Sequence, residues 1–425
     1  MGAEPASLRV ELTRRLGTGD AVVIGLGSMM GAGVFAVWAP AARAAGAALL
    51  ICLGLAAFVA YCNAVASAQL AAVYPVSGGT YVYGRERLGE WWGFTAGWAF
   101  VIGKTASCAA MALTFASYAV GGPRWAQRAV AVVAVWALAG LNYRGVTRTA
   151  HVTRVLVACT AVALTLFVVA CVTSPALSSS HLHGTSDVTL YGVLQASGLL
   201  FFAFAGYARI ATMGEEVRDP RPTIPRAIPL ALGITVAAYL AVGLAALAVA
   251  GPDLLAGSSS PLTAAAAAAG RPAVEPVVRA GAALASLGAL LALIAGIGRT
   301  SLAMAREGDL PRSLAAVHPR YRVPHHAELL LAGVVSALVL TTDLRGVLGF
   351  SSFGVLIYYA IANASAYTQP TPDRRWPRAL TVVGVAGCRT LAVTLPVGSV
   401  LLGAATCAVG LLGRWVVRTR RGAPR

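Results

Sequence analysis

Long apolar segments make up most of the chain, and short polar stretches separate them. Twelve segments are long enough to cross a membrane, since about 20 mostly apolar residues in a helix span the hydrocarbon core. They lie near residues 20–42, 44–73, 92–120, 126–142, 152–173, 190–216, 227–250, 277–304, 326–342, 346–368, 379–395 and 397–416. This pattern predicts an all-α integral membrane protein with twelve transmembrane helices.

The first span contains a glycine-rich run, Gly25-Leu-Gly-Ser-Met-Met-Gly-Ala-Gly-Val-Phe. Each glycine costs about 1 kcal/mol relative to alanine inside a helix. Backbone groups freed from a helix also find no water in the bilayer, so a break is tolerated only where it lines a cavity enclosed by protein. The alternative is that the small residues only let helices pack closely, as in Gly-x-x-x-Gly contacts.

The sixth span repeats this feature, because an aromatic run, Phe201-Phe-Ala-Phe, precedes Gly206. We therefore predict helix breaks near 28–33 and near 204–208. A broken helix offers free amides to an anion and free carbonyls to a cation, and paired breaks are typical of inverted five-helix repeats with a site between them. The predicted division is a cytoplasmic segment 1–19, a first repeat 20–173, a second repeat 174–368, accessory helices 369–416 and a basic tail 417–425.

The composition supports a membrane location, since only 12% of the residues are charged against roughly 25% in soluble proteins. The net charge is +17, and with a cytoplasmic N-terminus 23 of the 33 basic residues fall on the cytoplasmic side. The positive-inside rule then predicts a multi-pass protein of the cell membrane with both termini in the cytoplasm. We expect no nucleic acid as partner, and we expect the basic residues 414–425 to lie near anionic membrane lipid.

Residues that carry cofactor or enzyme chemistry are scarce. The seven cysteines all lie in apolar spans without a Cys-x-x-Cys pair, so we interpret them as small core residues. His181 and His183 have a spacing that some metal sites use, but no carboxylate accompanies them. There is no nucleophile–base set and no Gly-x-x-x-x-Gly-Lys-Ser/Thr phosphate loop. We expect no cofactor, no metal and no enzymatic activity.

Two of the basic residues inside predicted spans are candidates for coupling or charge recognition. Lys104 is the only lysine of the chain, and counting about 1.5 Å per residue from Trp92 places it near the bilayer centre. A cation there costs roughly 2.5–3.5 kcal/mol, so it must face protein or water. Lys104 is either a structural lysine bonded to neighbouring carbonyls or a titratable or substrate-facing group. Arg209 either snorkels to the cytoplasmic face or lies at the floor of a cavity.

Four stretches together resemble the amino acid–polyamine–organocation superfamily of permeases, over nearly the whole of spans 1 to 10. They are Gly27-Ser-Met-Met-Gly-Ala-Gly-Val-Phe, Pro75-Val-Ser-Gly-Gly-Thr-Tyr-Val-Tyr, Gly214-Glu-Glu-Val-Arg-Asp-Pro followed by Ile224-Pro-Arg-Ala-Ile, and Ala303-Met-Ala-Arg-Glu-Gly-Asp-Leu-Pro. The third stretch is similar to the cationic-amino-acid-transporter branch and its bacterial relatives.

The resemblance implies the leucine-transporter fold, with 5+5 inverted repeats plus two accessory helices, and secondary transport of amino acids by alternating access. It places the substrate carboxylate on amides around Met30, Gly31, Ala32 and Gly33, and Gly206 at the second break belongs to the same substrate-binding set. It places the substrate ammonium on carbonyls near Met29, Phe204 and Ala205, with Phe202 and Phe204 as an aromatic gate.

The chain departs from the family pattern at the positions that set coupling and charge preference. Proton-coupled relatives carry a lysine in span 5, where this chain has Thr160, and relatives for basic substrates carry a glutamate in span 3, where it has Gly103. A cationic substrate would meet Lys104 and Arg209 without a counter-charge. We therefore predict a neutral or acidic amino acid as substrate, moved by proton coupling or exchange.

In this interpretation Lys104 takes the role of the missing span-5 lysine. Two alternatives remain: a membrane sensor of amino acids that does not transport them, and a transporter of cationic amino acids or polyamines.

Overall fold

The computed structural model describes residues 16–76, 78–144, 150–182 and 188–422, and these residues are almost entirely helical. The first helices are α1 (Thr18–Met29), α2 (Gly33–Ala36), α3 (Trp38–Ala45), α4 (Leu49–Val73), α5 (Thr80–Leu88), α6 (Glu90–Ala119), α7 (Arg124–Tyr143) and α8 (Ala150–Val172). The others are α9 (Leu190–Phe204), α10 (Ala208–Ala211), α11 (Pro220–Gly257), α12 (Pro261–Ala268), α13 (Glu275–Arg306), α14 (His325–Thr341), α15 (Leu344–Tyr367), α16 (Arg378–Thr394) and α17 (Val397–Gly422).

Eight helical segments of this described part are long and apolar enough to cross a membrane. They are Thr18–Ala36, Trp38–Val73, Glu90–Ala119, His151–Val172, Pro220–Gly257, Pro272–Arg306, Leu344–Tyr367 and Val397–Thr419. Two shorter apolar helices, α9 and α14, coincide with the predicted sixth and ninth spans. The all-helical architecture is confirmed, whereas the count of twelve spans and the two inverted repeats remain predictions.

Small residues let the helices pack closely around α4. Ala60, Ala64 and Ala68 are spaced four residues apart, so they lie on one face of α4, and all three are fully buried. This helix contacts α9, α11, α15 and α16. Because lipid tails are as apolar as leucine, close backbone approach and interhelical hydrogen bonds hold membrane helices together. One such bond runs from Asn363 Nδ2 to Asn63 Oδ1, 2.7 Å away, between α15 and α4.

The C-terminal basic segment differs from its prediction, because Arg414 does not face lipid. It is only 5% exposed, and its guanidinium lies 2.7 Å from the carboxylate of Asp309. The ring of Phe94 stacks beneath the same guanidinium. Tyr81 and Arg85 also bond to Asp309, so this carboxylate joins α5, α17 and the end of α13. Burial and the neighbouring Asp309 raise the pKa of the Tyr81 hydroxyl.

The cysteines also differ in part from their prediction as core residues. Five are buried, but Cys159 on α8 is exposed and Cys407 on α17 is half-buried. Both lie on apolar helices whose outer faces carry exposed valines and leucines. An apolar residue in a membrane helix can face lipid as well as the core, and hydropathy alone does not separate the two positions.

Candidate functional site

The first helix is interrupted within the glycine-rich run. α1 ends at Met29, Met30 has a non-helical ψ of 33°, and α2 begins at Gly33. The amide of Met30 still donates to the carbonyl of Leu26, 2.7 Å away, so it is committed to the last turn of α1. The resemblance had counted this amide among the carboxylate ligands.

Three further amides at this interruption are free. Gly31, Ala32 and Gly33 are buried, and their N–H groups have no acceptor among the described residues. More than nine in ten buried backbone amides in proteins are paired. The first amides of a helix have no partner within that helix, and here they are also buried, so they are available to an anion or to water.

The second interruption follows Phe204, where α9 ends. Ala205 has φ −67° and ψ 5°, and α10 begins only at Ala208. The next turns are tighter than an α-helix, since the amide of Arg209 donates to the carbonyl of Gly206 three residues earlier. Some backbone carbonyls of residues 204–208 therefore do not accept the i+4 amide hydrogen bond of a regular α-helix.

The two interruptions contact each other through their backbones. A Cβ atom on Gly206 would lie 2.3 Å from the carbonyl oxygen of Ser28, and one on Gly33 would lie 2.7 Å from the Cα of Ala203. Glycine is required at both positions because any side chain would overlap the opposite segment. Gly31 packs in the same way against Ala289 of α13, at 2.9 Å.

Tyr239 of α11 connects the two interruptions, a role that its sequence context does not reveal. Its hydroxyl donates to the carbonyl oxygen of Met29 at 2.7 Å and lies 3.1 Å from that of Ala203. Its ring packs against Phe204, with ring centroids 5.2 Å apart. Phe204 is fully buried and Phe202 is nearly so, which places the two residues predicted as an aromatic gate inside the protein.

Lys104 reaches the second interruption from α6. Its Nζ donates to the carbonyl oxygen of Ala205, 3.2 Å away, and the hydroxyl of Tyr359 donates to the same oxygen at 3.2 Å. No carboxylate of the described residues forms an ion pair with Lys104. Two carbonyls that the resemblance assigns to a substrate ammonium, those of Met29 and Ala205, are therefore in contact with side-chain donors.

Arg209 lies four residues beyond Ala205 and is half-buried. Its charged neighbours are Arg299 of α13 and Glu216. Thr160, at the position of the family's span-5 lysine, donates to the carbonyl of Leu156 in its own helix, 2.8 Å away.

Two cavities lie away from the interruptions. One of about 650 Å³ is bordered by Tyr367 of α15 and by Arg389 of α16. Another of about 300 Å³ is bordered by Tyr143 and Tyr321. Neither includes a residue of the two interruptions, which are closed against each other in this conformation. In the part of the chain described, no three His, Cys, Asp or Glu side chains are grouped to hold a metal ion.

Discontinuous membrane helices that meet inside the protein are a feature of many transporter folds. The chain belongs to the amino acid permease family, whose model matches residues 16–405. The resemblance to permeases of the amino acid–polyamine–organocation superfamily is thereby confirmed.

Relatives of this chain are transporters rather than enzymes. It is 58% identical over 422 residues to an uncharacterized transporter of Mycobacterium tuberculosis, covering 98% of this chain and 95% of the relative. It is 26% identical over 398 residues to a branched-chain amino acid permease of Bacillus subtilis, covering 88% and 84%. It is 27% identical over 385 residues to cationic amino acid transporter 4 of Homo sapiens, covering 85% and 60%.

Proposed function

We propose that this permease is a secondary active transporter that moves a neutral or acidic amino acid across the cell membrane by alternating access. The observation that carries the proposal is the set of buried, unpaired amides at Gly31, Ala32 and Gly33. They lie on the segment that contacts the second interruption, where backbone carbonyls leave the helix. Free amides suit a carboxylate, carbonyls outside a regular helix suit an ammonium, and an amino acid carries both.

Charge favours a neutral or acidic side chain on the substrate. Two positive groups near the interruptions are Lys104 and Arg209, and no carboxylate pairs with Lys104 within the described ranges. A cationic side chain would add a further positive charge to a buried site, which is costly without a partner. The two named relatives act on branched-chain and cationic amino acids respectively, so family membership alone does not fix this choice.

The remaining features of the proposal concern topology and coupling. Twelve transmembrane helices in two inverted repeats, with both termini in the cytoplasm, fit the helix order and the positions of the arginines. Transport is coupled to protons or proceeds by exchange. Lys104 is our candidate for the titrating group, because a buried lysine can lose its proton whereas an arginine stays charged.

The test is uptake into proteoliposomes that contain the purified full-length chain. A panel of labelled neutral, acidic and cationic amino acids is offered with and without a pH gradient, and also against internal unlabelled amino acid. We expect uptake of at least one neutral or acidic amino acid above protein-free liposomes. Uptake of cationic amino acids alone would overturn the charge assignment, and binding without any uptake or exchange would favour the sensor.

A further inference from the structure

The ammonium of Lys104 is buried and only partly satisfied. The residue is 8% exposed, and its one polar contact among the described residues is the carbonyl oxygen of Ala205 at 3.2 Å. An ammonium has three N–H donors, so two of them have no protein acceptor there. A buried cation without a carboxylate is strongly unfavourable, and a ligand that brings a negative charge removes this cost.

The ammonium of Lys104 lies at the second interruption. The carbonyl of Ala205 belongs to the second interruption and also accepts the hydroxyl of Tyr359. Under the proposed function it is one of the groups that hold the ammonium of the substrate. Lys104 therefore places its own ammonium where that of the substrate is expected, and two like charges cannot share one oxygen.

A substrate with a second carboxylate resolves this competition. Its side-chain carboxylate pairs with Lys104 and draws the lysine away from Ala205, and its α-ammonium takes the vacated carbonyl. An acidic amino acid carries a net charge of −1, so its complex with protonated Lys104 is neutral. A neutral amino acid leaves one buried positive charge in the site, and a cationic one leaves two.

Charges beyond the site favour the same class of substrate. Arg209 follows the second interruption, and Arg299 of α13 is its charged neighbour. Glu216 is a carboxylate in the neighbourhood of Arg209. A cluster of positive charge beside a buried site raises the local concentration of anions.

Resting on the proposed function, we infer that Lys104 determines specificity by pairing with the side-chain carboxylate of an acidic amino acid. Glutamate and aspartate are the substrates this arrangement favours. Glutamine and asparagine have nearly the same shapes but lack the charge, so they are matched probes for this single interaction.

The experiment compares these four amino acids on the wild-type chain, Lys104→Met and Lys104→Arg. Binding is read as the ligand-induced rise in the thermal unfolding midpoint of the detergent-purified protein, and transport as uptake into proteoliposomes. The unliganded midpoint of each variant reports whether it folds. Lys104→Arg keeps the positive charge, so it still tests the inference if Lys104→Met fails to fold.

We expect the wild type to prefer glutamate over glutamine, or aspartate over asparagine, by about tenfold or more. Lys104→Met should lose this preference, and Lys104→Arg should keep most of it. Equal use of glutamate and glutamine by the wild type, or an unchanged preference in Lys104→Met, would overturn the inference. Loss of the preference in both Lys104→Met and Lys104→Arg would also overturn the inference.

The results that would overturn this inference differ from those that would overturn the proposed function. If the wild type transports leucine or another neutral amino acid but not glutamate or aspartate, the inference fails and the transporter stands. If the wild type neither binds nor transports any amino acid of the panel, both fail.

Discussion

The hydroxyl of Tyr239 lies 2.7 Å from the carbonyl oxygen of Met29 and donates a hydrogen bond to it. This bond joins the middle of α11 to the last residue of α1, where the first helix stops. The same hydroxyl lies 3.1 Å from the carbonyl of Ala203, in the last turn of α9. One buried side chain thus contacts both interrupted helices, so moving either one away from Tyr239 breaks a buried polar contact.

Removing this hydroxyl should destabilise the closed conformation. Tyr239→Phe keeps the ring but removes the donor to the buried carbonyl of Met29 and the polar contact with that of Ala203. An unsatisfied buried polar group costs about 1–3 kcal/mol. We expect a lower thermal unfolding midpoint in detergent and slower uptake. Tyr61→Phe is the control, because Tyr61 is 38% exposed on α4. Equal midpoints for the two variants would contradict the role assigned to Tyr239.

The contact between the two interruptions should not tolerate a methyl group. Gly206→Ala would bring its Cβ to 2.3 Å from the Ser28 carbonyl, and such overpacking costs about 1–3 kcal/mol. Because the strain falls on the segment that we propose to bind substrate, we expect uptake to fall about tenfold or more. Gly233→Ala in α11 is the matched control, since no atom lies within 4 Å of its added Cβ. A Gly206→Ala protein with wild-type uptake would count against the site.

Lys104 should also control the response to a pH gradient, if it is the coupling group. Lys104→Met has no proton to exchange, so its uptake of a neutral amino acid should not rise when a pH gradient is imposed. Lys104→Arg should behave in the same way, because arginine stays protonated. Initial rates with and without the gradient measure this effect. A wild-type response in Lys104→Met would assign coupling to another group.

The buried ion pair at the end of α13 should matter more than an exposed pair. Asp309→Asn removes the nearest carboxylate, 2.7 Å away, from the guanidinium of Arg414, whose side chain is 2% exposed, and leaves it only the exposed carboxylate of Glu90 at 3.7 Å. Breaking a buried pair costs about 3–5 kcal/mol. Arg154→Met removes the partner of Asp20, in a pair whose side chains are 54% and 29% exposed, and should cost about 0–1 kcal/mol. Comparable unfolding midpoints in the two variants would contradict this ranking.

The interruptions could be predicted from sequence because they follow from local backbone chemistry. Four glycines near one another in an apolar span, and Gly206 after an aromatic run, weaken a helix wherever they occur. The burial of Lys104 could also be predicted. Its distance from the end of the span places it deep in the membrane, where a cation must face protein or water.

The partners of these elements could not be predicted in the same way. Tyr239 lies 210 residues from Met29, and Lys104 lies 101 residues from Ala205. Such contacts depend on how helices pack in three dimensions, which neither hydropathy nor helical period encodes. The prediction that Arg414 lies near lipid was wrong for the same reason. Basic residues at the end of a membrane helix indicate a lipid interface, and the sequence does not show that the buried carboxylate of Asp309 lies next to Arg414.

The most direct test of the account is an experimental structure of the protein with the amino acid that it transports best. We expect density for this ligand between residues 29–33 and 204–208. Its carboxylate should lie within hydrogen-bonding distance of the amides of Gly31, Ala32 or Gly33, and its ammonium should contact the carbonyl of Ala205. A ligand bound away from both segments, or helices that continue through them without interruption, would contradict the account.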